Sequence, residues 1–317
     1  MPKLRMSFAT FLALSGSALA AEHTPQVSLS SADRAVNFSS SIGYSWIRAD
    51  EKVYEENDRL SHLIWATQTP VIAAKLHFKP TENLTVAAES KVAFFARSRM
   101  DDYDWSPEHF KSFRFEDWTD YSFHEDTDLE RYIIGNLALG YDLDVDKINT
   151  LNFHGGFKYL NIKLSSYGGV ATYSADGFRD QTELFDPAVK GISYELRLPA
   201  AFVGVLWTRE LEKTTFTAAA RLGTTIGARD IDNHWLNSTH FRSKFEDATF
   251  VELRTELHHS VADWVMLFAA AEYEKYFEMR GDTFITDKAA GIYEFEPNAA
   301  GAALQSFTLS LGLKVSF

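Results

Sequence analysis

The chain contains no cysteine. No disulfide can staple it, so packing and hydrogen bonding must hold it together. Basic residues are outnumbered: 31 Lys and Arg against 44 Asp and Glu leave a net charge of −13. That balance argues against a nucleic-acid partner, because a phosphate backbone calls for a basic footprint. It suits cationic partners wherever the acids cluster. Long apolar runs are missing as well. Past the first twenty residues no stretch approaches the roughly 18 apolar residues of a spanning helix, and Ala200 to Trp207 is among the longest. Neither an internal repeat nor a low-complexity linker interrupts the chain, so one domain is expected.

The first twenty residues are of a different kind. Met-Pro-Lys-Leu-Arg is followed by an apolar stretch from Met6 to Leu14 and by small residues ending in Ala18-Leu19-Ala20. A basic start, a short apolar run and an A-x-A ending predict a secretory signal over 1–20, with 21–317 as the mature domain. Removing Lys3 and Arg5 leaves 31 − 2 = 29 bases against 44 acids, a net of −15. A secreted chain without disulfides needs another framework. A closed barrel in a membrane supplies one, since every backbone group is paired and no edge is left.

Alternation with a period of two dominates the rest. In the last segment Phe307, Leu309, Leu311, Leu313, Val315 and Phe317 are apolar, while Ser306, Thr308, Ser310, Gly312, Lys314 and Ser316 are small or polar. Such a pattern is a strand with one oily face. Val36, Phe38, Ile42, Tyr44 and Trp46 repeat it, as do Leu84, Val86, Ala88, Val92 and Phe94, with Glu89 and Lys91 on the second face. Charge on that face fits a polar lumen better than a packed core. About ten such segments occur, near 34–48, 61–77, 84–98, 128–143, 148–165, 189–208, 214–228, 242–258, 264–279 and 303–317. Connections alternate between short (79–83, 144–147, 210–213, 260–263) and long (49–60, 99–127, 166–188, 229–241, 280–302). The expectation is an all-β, ten-stranded antiparallel transmembrane β-barrel whose strands extend into long extracellular loops, with both termini on the inner side.

The long loops carry the chemistry. Ten acids and three bases lie between Arg99 and Asp128, and most belong to a solvated surface. Asp102-Tyr103-Asp104 places two carboxylates on one face of an extended chain. Like charges that close oppose joint ionisation, which holds a proton near a reacting group. Calcium ligation is a second use, but no Gly-bearing loop of the EF type surrounds the pair. Asp232-Asn233-His234 sets a carboxylate beside an imidazole, an arrangement that fixes the tautomer of a general base. Alone, each motif is more often plain polar loop than site. Neither H-E-x-x-H nor a mature G-x-S-x-G is present, and no metal site or cofactor is expected. His258 and His259 read as residues of an inner turn.

Taken together, Glu51-Lys52-Val53-Tyr54, Asp102-Tyr103-Asp104-Trp105, Trp118-Thr119-Asp120 with His124, Gly177-Phe178-Arg179-Asp180, Asp230 through His234, Arg242-Ser243-Lys244 and the final Gly312-Leu313-Lys314-Val315-Ser316-Phe317 resemble the omptins. These are outer-membrane endopeptidases of Gram-negative bacteria, and the likeness spans nearly the whole mature chain. It implies a catalytic set of Asp102 and Asp104 with Asp232 and His234, meeting across the barrel mouth with a water between. It also implies Glu51 and Asp230 as the acids selecting Arg or Lys before the scissile bond, Asp120 on the leaving side, and Met100 as an apolar pocket wall. Lipopolysaccharide is implied as an activator held by basic residues on the barrel wall. Arg197 fits that pattern, whereas two other matching positions hold Asn161 and Glu246. The expected partners are basic peptides or proteins and outer-membrane lipid, acting on a single copy of the chain in the bacterial outer membrane with the site facing outward.

Two readings from different classes follow: an endopeptidase acting at basic residues, and a catalytically silent barrel of the same family serving as a surface adhesin or scaffold. A lipid-modifying barrel hydrolase would want a serine beside a histidine in the membrane rim, and no such pairing is evident. The endopeptidase reading carries a geometric demand. Counting by twos, Asp102, Asp104, Asp232 and His234 share parity with the oily faces of their strands. A change of phase is therefore predicted near 96–101 and 226–229, with Gly227 as one site of it.

Overall fold

The computed structural model describes residues 36–94, 96–107 and 109–317; the expected signal segment lies outside them. The described chain is one antiparallel sheet of strands β1 Val36–Glu55, β2 Asp58–Phe78, β3 Leu84–Ala93, β4 Ala96–Asp104, β5 Asp120–Asp144, β6 Asn149–Tyr173, β7 Gln181–Leu211, β8 Thr214–Thr225, β9 Arg229–His234, β10 Thr239–Phe245, β11 Thr249–Ala262, β12 Val265–Asp287 and β13 Ile292–Ser316. The first strand pairs with the last, from Asn37 opposite Ser316 to Val53 opposite Ala300, so the sheet closes. Three staves of the ring are broken in two. Strands β3 and β4 share the space between β2 and β5, β8 and β9 follow one another along β7, and β10 and β11 follow one another along β12. Counted as staves, the barrel has the ten strands expected.

Side-chain alternation divides oil from water. Ile42 lies opposite Leu311, Tyr44 opposite Leu309 and Trp46 opposite Phe307, all facing outward and exposed. The inward face carries groups such as Ser45, whose hydroxyl meets that of Thr308 at 2.7 Å. Deeper in the lumen the fully buried Lys158 ammonium sits 2.6 Å from both Glu252 and Glu274. Arg221 reaches Glu252 at 2.9 Å, and Lys91 reaches Glu272 at 2.5 Å. Buried charges are tolerated only when paired in this way. His258 belongs to this layer. It lies on β11 inside the lumen, 2.7 Å from Glu256, and is not a turn residue.

The short connections fall where expected, but the long ones are mostly strand. Strand β1 runs to Glu55 and β2 restarts at Asp58, and β6 and β7 leave only 174–180 between them. Hydrophobic alternation fades where the outer wall leaves lipid, at Arg48 and Asp50 after Trp46 on β1, yet the hydrogen-bonded ladder continues. Strands of 25 residues such as β5 and β6 are more than twice the length a tilted strand needs to cross. The surplus stands above the membrane as a walled mouth.

Both changes of phase are present. Thr85, Lys91 and Ala93 face inward on β3, but Ala96, Ser98 and Met100 do so on β4, so the parity switches between Ala93 and Ala96. That is just ahead of the predicted window, and a further register shift follows between Ser98 and Met100. On the other stave Arg221 is inward and Leu222 outward, whereas Asp230 and Asp232 are inward. The switch lies between exposed Ile226 and buried Ala228, at Gly227 with φ of 66°. A residue with a Cβ pays a steric penalty in that conformation.

Candidate active site

The two phase changes turn four polar side chains from the lipid-facing parity into the mouth. Strand β4 presents Asp102 and Asp104 between β2 and β5. Strand β9 presents Asp232 and His234 between β7 and β10. In the ring these staves stand nearly opposite each other, so segments about 130 residues apart in sequence look at one another across the opening. His234 Nε2 lies 2.7 Å from Asp232 Oδ2. Ser61, on the neighbouring β2, donates toward Asp102 Oδ1 at 3.5 Å.

Beside this group a cleft of about 540 Å³ contains Glu51, Asp230, Asp232 and His234 together with Phe241, Ser243, Thr283 and Ile285. Glu51, Asp230 and Asp232 are each less than a tenth exposed. Trp65 Nε1 donates to Glu51 at 3.3 Å, and the Ser243 amide donates to Asp230 Oδ1 at 3.0 Å. Trp65 stacks on Tyr194 at 5.9 Å, making a rigid floor below the two acids. Phe241 packs against the His234 ring at 5.2 Å, edge to face. One buried carboxylate oxygen at the cleft wall has no hydrogen-bond partner: Asp232 Oδ1.

The electrostatics follow from crowding acids in a place with little water. Burial pushes the Glu51 carboxyl well above its ordinary range, and the charges of Asp232 and Asp230 push it further. Asp230 rises to about 7, because burial and Asp232 outweigh its bonds from Ser243. Burial raises Asp102 well above normal, with Asp104 adding to it, and burial lifts Asp104 to about 6. For His234 burial favours the neutral ring, but Asp232 at hydrogen-bond distance, aided by Asp102 and Asp104, wins and raises it to about 9.

The remaining expected site residues lie outside the lining of this cleft. Asp120 sits opposite Asp104 on β5, but its oxygens are engaged. Oδ2 accepts from Ser106 Oγ at 2.6 Å and Thr119 Oγ1 at 2.9 Å, and Oδ1 accepts from the Ser174 amide at 2.9 Å. It ties the 105–119 loop to the 174–180 turn. Arg179 adds a second tie by lying 3.4 Å over Trp118 and donating to the carbonyls of Trp118 and Glu116. Met100 is wholly buried on β4, two residues before Asp102. Arg197 is on the outer wall, where it shares Glu195 Oε1 with Arg131 at 2.8 and 2.6 Å; Asn161 bonds to both Arg131 and Glu195. Sequence reasoning did not find Ser61, Trp65, Tyr194 or Phe241 as parts of the site. All four are ordinary inward residues, Ser61 and Trp65 on β2, Tyr194 on β7 and Phe241 on the short β10, and nothing local marks them.

Residues 32–317 match the Omptin family. Among curated proteins, the chain is 24% identical to a plasminogen activator of Yersinia pestis, over 97% of this chain and 96% of that one. It is 23% identical to the outer membrane protease OmpP of Escherichia coli strain K12, over 85% and 86% of the two chains. The crystal structure of the outer membrane protease OmpT from Escherichia coli superposes with a TM-score of 0.83 at 20% identity, covering 93% of this chain and all of that one. That likeness concerns the fold, and it extends through the mouth as well as the membrane belt. A match over almost the whole described chain settles the family: this barrel of the outer membrane belongs to the omptins.

Proposed function

We propose that the chain is an endopeptidase of the cell surface that hydrolyses peptide bonds at basic residues, using a water held between Asp102 with Asp104 and the Asp232–His234 pair. That it is an outer-membrane protease follows from the family and from relatives so named. The finer reading rests on one observation: an Asp–His pair with a buried carboxylate faces an Asp couple beside a cleft lined by Glu51 and Asp230. With Nε2 engaged by Asp232, Nδ1 is the nitrogen left to accept a proton. The water's oxygen attacks the carbonyl carbon as its proton passes to His234, and the imidazolium returns that proton to the leaving amine. Asp232 stabilises the charged ring in between. Asp102 and Asp104 orient the water, and Ser61 holds Asp102. No covalent intermediate with the enzyme forms.

Glu51 and Asp230 supply the specificity. Two carboxylates at the end of one cleft favour a cationic side chain, and the planar fork of arginine can engage both. Asp120 contributes by fixing the loops that frame Asp104. Lipopolysaccharide contact through Arg197 belongs to the same proposal. Two guanidinium groups share one carboxylate there, which leaves net positive charge for a lipid phosphate.

Full-length protein refolded in detergent, with and without lipopolysaccharide, should cleave a peptide containing Arg-Arg, and His234→Ala should abolish cleavage. Full activity in that variant would remove the mechanism. Failure of the wild type in both conditions would favour a silent barrel.

A further inference from the structure

The mouth holds more acidic side chains than its own cations can pair. Asp232 faces His234 from β9, Asp102 and Asp104 face it from β4, and Glu51 shares its cleft from β1 with Asp230. Glu55, Glu56 and Glu296 stand at the cleft's rim. The one lysine lining the cleft, Lys52, is bound to Glu278. Strand β10 brings Phe241 against the ring and no charge, since His240 bonds outward to Asn233 at 2.8 Å. Tyr194, at the floor from β7, is a neutral phenol. Within this arrangement the His234 imidazolium is the internal counter-ion of the cleft. A buried oxygen of Asp232 still lacks any donor. An unsatisfied carboxylate oxygen at a cleft wall marks a place where a ligand's N–H belongs.

From this geometry we infer that a cation in the Glu51–Asp230 cleft is an activator as well as a handle: it replaces His234 as counter-ion and frees the imidazole to act as base. The inference rests on the proposed hydrolysis and adds where its specificity resides. A positive side chain near Asp230 and Asp232 opposes a second positive charge on His234, so the ring gives up its proton when a basic substrate is seated. Without a cation the ring stays charged and cannot take a proton from water. Basic specificity is then expressed in turnover, not only in affinity, and any small guanidinium compound that enters the cleft should activate in trans.

The test uses a peptide with alanine in place of the arginine before the scissile bond, which leaves the cleft open. At pH 7, free ethylguanidine should raise its cleavage by wild-type protein at least about tenfold, since each unit of lowered imidazole pKa multiplies the neutral fraction by ten. The gain should shrink toward pH 10, where the ring is neutral anyway. Ethylurea, of the same shape but uncharged, should not stimulate. Glu51→Gln should lose most of the response to ethylguanidine, because an amide there cannot ionise to pair with the cation, with its heat-resistant barrel on a gel unchanged. Stimulation by ethylurea equal to that by ethylguanidine, an effect independent of pH, or no stimulation of a wild type that cleaves the arginine peptide would overturn the inference. That last result, with His234→Ala inactive, leaves the hydrolytic reading standing. A wild type inert toward the arginine peptide overturns both.

Discussion

Two layers of the same barrel interior treat buried charge in opposite ways. In the lumen Lys158 lies between Glu252 and Glu274, Arg221 bonds Glu252, and Lys91 bonds Glu272. At the mouth Glu51, Asp102, Asp104, Asp230 and Asp232 surround a single histidine. Removing charge from water is costly unless a partner compensates it. The lumen meets that cost internally and so plugs the barrel. The mouth leaves it partly unmet, which is tolerable only because protons stay on several of the acids. The contrast separates a layer built for stability from one built to receive a cation.

The comparison can be broken at several points. The largest effect is expected from His234→Ala, which should lower kcat/KM for a dibasic peptide by about 10²–10⁴, with no loss of heat-resistant barrel structure on a gel. Substituting Lys158→Ala should do the reverse. It strands the buried Glu274 carboxylate, while Glu252 keeps Arg221, and should cost about 3–5 kcal/mol of stability, seen as a lower urea midpoint, while the Asp232–His234 pair stays in place. Should Lys158→Ala alter activity and leave stability untouched, the division of roles is wrong.

A smaller effect concerns pH. The base works as the neutral ring and the cleft binds through ionised acids. With Asp230 at about 7 and His234 at about 9, kcat/KM should rise with pH through both and level off above about 9. Asp232→Asn removes the main support of the imidazolium, so its residual activity should level off at lower pH. A profile falling from pH 6 to 9 would contradict both assignments. The smallest effect belongs to Asp120→Asn, which keeps the size of the side chain but weakens its hold on Ser106, Thr119 and the Ser174 amide. Loss of activity by less than about tenfold with faster proteolysis in the 105–119 loop would fit a positioning role; a large shift in preference for the residue after the scissile bond would instead make it a contact to substrate.

The membrane part of the fold was legible because lipid imposes a strict pattern. Wherever one face must be oily, as from Leu309 to Leu313, period two survives in the sequence. Above the lipid both faces are polar, so the ladder from Asp50 to Glu55 leaves no such trace and reads as loop. The site was legible in part. D-x-D and D-x-H are weak signals alone, and parity counting placed both on the oily face. Phase changes between Ala93 and Ala96 and at Gly227 resolve that conflict. The glycine is a visible local cause, while the break near Phe94 carries no comparable mark. Trp65 and Tyr194 were beyond reach because their partnership joins strands β2 and β7 across the ring, a contact set by barrel closure and not by any neighbouring residue.

Titrating butylguanidine into the full-length barrel in a calorimeter, in buffers of different ionisation enthalpy, probes the uncompensated mouth most directly. Binding at pH 7 should expel roughly one proton per ligand and should weaken as pH falls toward 5. Binding with no proton release and with equal affinity from pH 5 to 9 would mean that the acids of the mouth hold no protons for a cation to displace.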